Sequence, residues 1–184
     1  MPVKDHIALK DYVANRPNMI SGGLIEIASP GIVGGCIRLR TGQLVNHTMV
    51  IIRFNEFWPG RVSVVESLNN GPVTHFLSDR LLKLQSEGGK AWWLPLLPEY
   101  QHFGRQVAAE CLAFASKDIR YDWLAIFRQF FAREKKVGLH RLFCSEMAYA
   151  ANIRAGLPMI PQKYVPRPGE MSRTGVYGKP IQIL

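Results

Sequence analysis

The sequence is poor in cysteine and has no long apolar run. Its 184 residues include only Cys36, Cys111 and Cys144, which cannot all pair and whose wide spacing matches neither a disulfide framework nor a zinc ribbon. No segment has the roughly eighteen consecutive apolar residues that a membrane-spanning helix needs, and residues 1–6 carry no hydrophobic signal core. We therefore expect reduced thiols, no transmembrane segment and a cytoplasmic protein by default, with non-Sec export or a phage-associated role left open.

Acidic residues are also scarce. Fourteen acidic side chains stand against 23 basic ones, which gives a net charge of +9. Such an excess attracts polyanions, for example nucleic acid, anionic lipid or an acidic wall polymer. A solvated basic face that aids solubility accounts equally well for the same charge. The charge by itself does not choose between these interpretations.

The length fits one domain, with no internal repeat or low-complexity tract. We assign residues 1–20 to an N-terminal arm and residues 21–184 to a single domain that includes a Pro/Gly-rich closing segment. The first half of this domain contains short β-prone runs separated by turn residues, at positions 24–28, 44–54, 61–67, 73–77 and 91–96.

The second half changes to a helical period. Helices are predicted over residues 99–117, from 122 to about 134, and from near 144 to 156, and residues 181–184 could add an edge strand. A cysteine at position 111 falls on the apolar side of the first of these helices and should pack in the core. Strands grouped first and helices second predict an α+β domain with an antiparallel sheet followed by packed helices.

Cys144 stands where the third predicted helix begins. The apolar pair Leu142-Phe143 leads into it, and helix-favouring residues follow. A helix start offers unpaired backbone N–H groups and the positive end of the helix dipole, which both favour thiolate over thiol. Thiolate is the form that attacks a carbonyl carbon. The common alternative is an inert cysteine buried as a small hydrophobic residue.

A thiolate nucleophile needs a base, and His47 stands out among the five histidines. It interrupts a run of β-branched and apolar residues, where an unpaired ring would be costly. Glu66 interrupts the next predicted strand in the same way, and it would orient the imidazole of His47 if the register aligns the two. A structural histidine and a partly exposed glutamate at a sheet edge remain alternatives. Cys144 and His140 offer only two metal ligands close in sequence, so neither a metal nor another cofactor is predicted.

The same residues carry a family resemblance. Segments 46–51, 64–67 with 71–73, 121–122 and 143–147 resemble the circularly permuted NlpC-type papain-like cysteine hydrolases, and residues 168–172 are similar to the family's usual closing segment. In that group, which is related to lecithin retinol acyltransferase-like proteins, the histidine strand precedes the cysteine helix. The resemblance spans roughly residues 22–160. Its opening departs from the family pattern, because residues 21–25 lack the acidic residue that commonly follows glycine there.

The resemblance implies a permuted papain-like fold with Cys144 as nucleophile, His47 as general base and then acid, and Glu66 as the orienting residue. It implies cleavage of an amide bond in a peptide or cell-wall peptide through a thioester acyl-enzyme. A lipid or ester acyl hydrolase or acyltransferase on the same fold, and an inactive basic module that binds a polyanion, stay open as alternatives. The expected partners are accordingly a peptide, peptidoglycan-like or acyl-lipid substrate, or a polyanion, and the oligomeric state is left open. Four aromatic residues are expected either to line an apolar cleft or to pack in the core, namely Phe57, Trp58, Trp92 and Trp93.

Overall fold

The computed structural model describes residues 9–31, 34–36, 39, 42–68, 71–116 and 144–184. Within these ranges one antiparallel sheet forms in the strand order β4-β3-β2-β1-β5-β6. The strands are β1 (Leu24–Ala28), β2 (His47–Ile52), β3 (Ser63–Leu68), β4 (Gly71–Phe76), β5 (Lys90–Leu94) and β6 (Ile181–Gln182). The predicted α+β class and antiparallel sheet are confirmed, and the short β6 is the expected edge strand.

The described residues include the helices α1 (Lys10–Asn15), α2 (Leu77–Ser86), α3 (Gly104–Ala115) and α4 (Cys144–Arg154), with 3-10 turns at Arg16–Asn18, Pro98–Phe103 and Met171–Thr174. The helix predicted over 99–117 thus divides into a 3-10 turn and α3. The end of α4 is as predicted, since Gly156 follows it with a φ of +79°. The helix predicted from 122 to 134 lies outside the described residues. No helix in the described ranges combines the length and apolar character needed to cross a membrane.

The helix α2 corrects the sequence-based expectation. The predicted strand over 73–77 ends at Phe76, and no element is predicted for residues 78–86, yet ten residues from Leu77 are helical. Three leucines at helical spacing are fully buried on its inner side, at positions 77, 81 and 84. Burial of each leucine side chain contributes about 1.5–3 kcal/mol. Packing against the sheet therefore stabilises a helix that the local sequence pattern does not predict.

The sheet carries a core on each face because side chains alternate along a strand. On one face Leu24 and Val50 belong to a cluster with residues of α3 and α4. On the other face Ile25 and Ile51 pack with residues of α2 and with Tyr12 of α1. The site residues described below lie at the end of this sheet where β2 begins.

The four aromatic residues do not share a cleft. Trp93 is buried on one face of β5, and Trp92 packs against the cluster on the other face. Phe57 and Trp58 are 73% and 47% exposed. They follow the end of β2, whereas His47 begins that strand, so they lie away from the end of β2 that carries His47.

Candidate active site

Cys144 is the first residue of α4, and it lies against the start of β2. Its side chain forms a hydrogen bond with the side chain of His47 and accepts hydrogen bonds from the backbone N–H groups of Thr48 and Ser145. The thiol is nearly buried, with 7% of the residue exposed. The helix start therefore supplies a donor to the sulfur, as the sequence predicts, and the histidine strand supplies a second one.

His47 contacts two partners with its two ring nitrogens. Its Nε2 lies 2.8 Å from Oε2 of Glu66, which leaves Nδ1 for the hydrogen bond with Cys144. The register explains the first contact: Val50 pairs with Val65 and Ile51 with Val64. Continued by one residue, this pairing puts Glu66 opposite Met49. Glu66 therefore lies diagonally across from His47, two residues before Met49 on the same face, a separation that long side chains span.

Glu66 is fully buried and uses both of its carboxylate oxygens. Oε1 accepts a hydrogen bond of 2.9 Å from Nε of Arg80, and Nε2 of His75 lies 3.5 Å from the same oxygen. The alternative of a partly exposed glutamate at a sheet edge is therefore wrong. A carboxylate in an apolar strand indicates that a partner exists. Arg80 could not be identified as that partner from the sequence, since no helix was predicted around it.

Each of these three groups shifts the pKa of its neighbour. Burial alone would lower the pKa of His47, but the charge and hydrogen bond of Cys144, together with Glu66, raise it above its usual value. Burial alone would raise the pKa of Cys144, but the charge and hydrogen bond of His47 and the two backbone donors lower it. Burial alone would raise the pKa of Glu66 as well, and contacts with His47 and Arg80 lower it. The arrangement favours a thiolate–imidazolium pair beside a carboxylate.

The other two cysteines have different surroundings. Cys111 is fully buried in the core, as predicted, and burial, with a smaller contribution from Glu110, raises the pKa of its thiol. Cys36 is exposed. Among the described residues, neither has a histidine contact of the kind that Cys144 has. Burial in an apolar environment makes a thiol inert, so Cys144 is the candidate nucleophile.

A second buried carboxyl, Glu26, is missed by the sequence reasoning. It lies in β1 opposite Thr48 and is 4% exposed. Its Oε1 accepts a 2.9 Å hydrogen bond from the N–H of Gly169, which ties the closing segment to the sheet. Burial raises the pKa of Glu26 to about 7, although this hydrogen bond opposes the shift. The available signal was the same as for Glu66, a carboxylate inside an apolar strand.

Replacement of Glu26 by Gln should stabilise the protein at alkaline pH. A rise in pKa from 4.5 to about 7 corresponds to about 3 kcal/mol. The contribution of Glu26 to the free energy of unfolding is fully present below the pKa of this residue in the unfolded chain. It is lost as the pH rises through about 7, the pKa in the folded protein. Gln keeps an oxygen for the N–H of Gly169 but cannot ionise.

We expect the difference in unfolding free energy between Glu26→Gln and wild type to be small near pH 4 and to grow toward about 3 kcal/mol above pH 8. Urea titrations across this range measure it. The exposed Glu87, replaced by Gln in the same way, is the control and should show no such trend. A difference that does not vary with pH would contradict the assignment of a raised pKa to Glu26.

The structure brings together all three residues that the sequence singled out, Cys144, His47 and Glu66, in one hydrogen-bonded series. Their catalytic role remains a prediction. His140 and the Tyr121-Asp122 pair lie outside the described residues. Within the ranges that the structure describes, no three His, Cys, Asp or Glu side chains gather in an arrangement suited to a metal ion.

Comparison with known proteins identifies a shared fold. No protein-family model matches the sequence, and no curated protein sequence matches it. Among solved structures, the metalloprotein yiiX from Escherichia coli O157:H7, a DUF1105 protein, is similar with a TM-score of 0.55 and 16% sequence identity. The similarity covers 76% of this chain and 68% of that chain. At this level of identity the comparison concerns the fold alone.

Proposed function

We propose that the chain is a cysteine hydrolase with a permuted papain-like fold that cleaves amide bonds in peptides or cell-wall peptides. The observation that carries the proposal is the hydrogen-bonded series from the Cys144 thiol through His47 to Glu66. A nucleophile, a base and a group that orients the base form the arrangement that activates a thiol for acyl transfer. The order along the chain, with the histidine strand before the cysteine helix, supports the permuted form of the fold.

The first half of the reaction forms an acyl-enzyme. The Cys144 thiolate attacks the carbonyl carbon of the scissile amide, and the electron pair of the carbonyl moves to its oxygen. Backbone N–H groups at the start of α4, including that of Cys144, would stabilise this oxyanion. As the tetrahedral intermediate collapses, the C–N bond breaks and the His47 imidazolium gives its proton to the leaving amine. A thioester remains on Cys144.

The second half returns the enzyme to its starting state. Neutral His47 takes a proton from a water molecule as that water attacks the thioester carbonyl. Collapse of the second tetrahedral intermediate breaks the C–S bond and releases the carboxylic acid with Cys144 as thiolate. The Glu66 carboxylate keeps Nε2 of His47 occupied in both halves, which fixes the ring and stabilises the imidazolium.

Acylation by an activated ester tests the proposal without knowledge of the natural substrate. With p-nitrophenyl acetate, we expect a burst of about one p-nitrophenolate per chain followed by turnover, with the acetyl group on Cys144 in peptide mass spectra. Cys144→Ser should remove both phases, and Cys36→Ser, which removes the exposed cysteine, should leave both unchanged. Acetylation at Cys36 alone, or no burst, would refute the proposal.

The same enzyme preparation distinguishes amide from ester substrates. N-acyl amino acid p-nitroanilides offer an amide bond, whereas the matching p-nitrophenyl esters offer an ester with an identical acyl group. Turnover of the anilides that requires Cys144 supports the amidase proposal. Turnover confined to esters, and strongest with long acyl chains, would favour a lipid or ester acyl hydrolase on the same fold instead.

A further inference from the structure

The buried carboxylate of Glu66 divides its two oxygens between elements on its two sides. Oε2 faces His47 of β2 at 2.8 Å. Oε1 faces Arg80 of α2 at 2.9 Å and His75 of β4 at 3.5 Å. The side chain of Glu66 is 0% exposed, whereas those of Arg80 and His47 are each 16% exposed. The contacts of Oε1 with Arg80 and His75 therefore hold the carboxylate in the orientation that directs Oε2 at His47.

Such a carboxylate needs a permanent cation to remain ionised. Transfer of an unpaired carboxylate into a buried site favours its protonated form. His47 cannot fill this role alone, because it exchanges its proton during the proposed reaction. An arginine stays charged at every working pH, and its planar guanidinium donates in a fixed direction. Arg80 meets both requirements.

We propose that Arg80 is a positioning residue of the proposed hydrolase, which holds Glu66 in the orientation and charge state that keep His47 directed at Cys144. This inference rests on the proposed function. Arg80 touches neither the thiol nor the reacting carbonyl, and it acts through Glu66. Its place on α2 means that a helix packed on the face of the sheet opposite to α3 and α4 supports the site.

The other charged groups around Glu66 act differently. His75 contacts the same oxygen as Arg80, but at the longer distance of 3.5 Å, and its side chain is 41% exposed. Water screens such a contact strongly. Cys144 reaches the carboxylate only through His47. Arg80 is thus the one fixed charge among the four groups that face or reach this carboxylate in the described part of the chain.

Alkylation of Cys144 by iodoacetamide as a function of pH tests the role of Arg80. In Arg80→Gln the carboxylate of Glu66 loses its fixed cation and is protonated more readily, so it stabilises the His47 imidazolium and, through it, the Cys144 thiolate less well. We therefore expect the acid limb of the rate profile to move up by about one pH unit. The rate near pH 6 should fall about tenfold. Arg80→Lys keeps the charge and should retain the wild-type limb with a rate within about threefold of wild type. Lys83→Gln, which removes an exposed positive charge from the same helix, is the matched control and should leave the profile unchanged.

A second pair of variants separates action through Glu66 from a general effect on folding. Glu66→Gln and the double variant Glu66→Gln/Arg80→Gln carry no unpaired carboxylate, so this comparison remains available if Arg80→Gln alone does not fold. If Arg80 acts through Glu66, the two should alkylate at rates within about twofold of each other. A further tenfold loss in the double variant, or an Arg80→Gln profile identical to that of Lys83→Gln, would overturn the inference.

The outcome for the proposed function can be read separately from the same assay. If His47→Ala leaves the alkylation profile of Cys144 unchanged, the proposed hydrolase itself fails, whatever Arg80 does. If alkylation depends on His47 but not on Arg80, only the positioning role is overturned.

Discussion

His47→Ala should slow the alkylation of Cys144 by iodoacetamide about 30-fold near pH 6. The charge and hydrogen bond of His47 lower the pKa of the thiol. Without them Cys144 returns toward an ordinary cysteine, for which a pKa of about 8.5 leaves roughly 0.3% thiolate at pH 6. Wild type therefore holds a much larger fraction of thiolate at pH 6, and the weaker nucleophilicity of a low-pKa thiolate offsets only part of that gain.

The sign of the pH dependence follows from the same shift. Because the pKa of Cys144 is lowered, the difference between wild type and His47→Ala is largest at acidic pH and should close near pH 9, where an ordinary thiol also ionises. Turnover of an acyl substrate should fall further, by about 10²–10⁴-fold at all pH values, since the variant lacks its acid–base group.

His75→Ala is the matched control for this prediction. It removes an imidazole that contacts the same carboxylate but makes no contact with the thiol. Its alkylation rate should stay within about threefold of wild type, because the contact is long and partly exposed. Equal effects of the two histidine variants would show that the pairing of His47 with Cys144 does not set the reactivity of the thiol.

Glu66→Ala should lower the free energy of unfolding by about 3 kcal/mol at neutral pH. The change removes a fully buried carboxylate, which leaves Arg80 without its ionic partner and His47 with Cys144 alone. The side chains of Arg80 and His47 are each only 16% exposed. The loss of one member of a buried ion pair is costly because the remaining charge stays poorly solvated. Denaturant titrations of variant and wild type measure the difference.

The stabilisation by Glu66 should depend on pH in a defined direction. Its pKa is lowered in the folded protein, so its contribution is present above the unfolded carboxyl pKa of about 4.3 and is lost as the pH falls further. The difference in unfolding free energy between wild type and Glu66→Ala should accordingly shrink below about pH 4.

Asp79→Ala provides the comparison, since Asp79 is 65% exposed and pairs with Arg61 at 3.6 Å. Its cost should not exceed about 0.5 kcal/mol. A similar cost for both variants would rule out a buried ion pair at Glu66.

Local patterns in the sequence were sufficient for most of the sheet. Runs of β-branched residues bounded by turns predicted β1, β2, β3 and β5 within a few positions, because alternation along a strand is a short-range property. The glycine after α4 marked the end of that helix for a similar reason, since a φ of +79° suits glycine. In contrast, α2 was not predicted, because its stability depends on the packing of three leucines against a sheet that other parts of the chain form.

Sequence patterns alone were enough to single out the candidate site residues. They placed Cys144 at a helix start, and they marked His47 and Glu66 as polar interruptions of apolar strands, because the cost of burying an unpaired polar group is a local argument. That these three side chains meet could be seen only in the folded chain, since it depends on the register of β2 against β3 and on where α4 packs. The tertiary structure also brings Arg80 into contact with Glu66 and the N–H of Gly169 into contact with Glu26. Contacts between segments so far apart in the chain depend on how the whole chain packs, which no local pattern specifies.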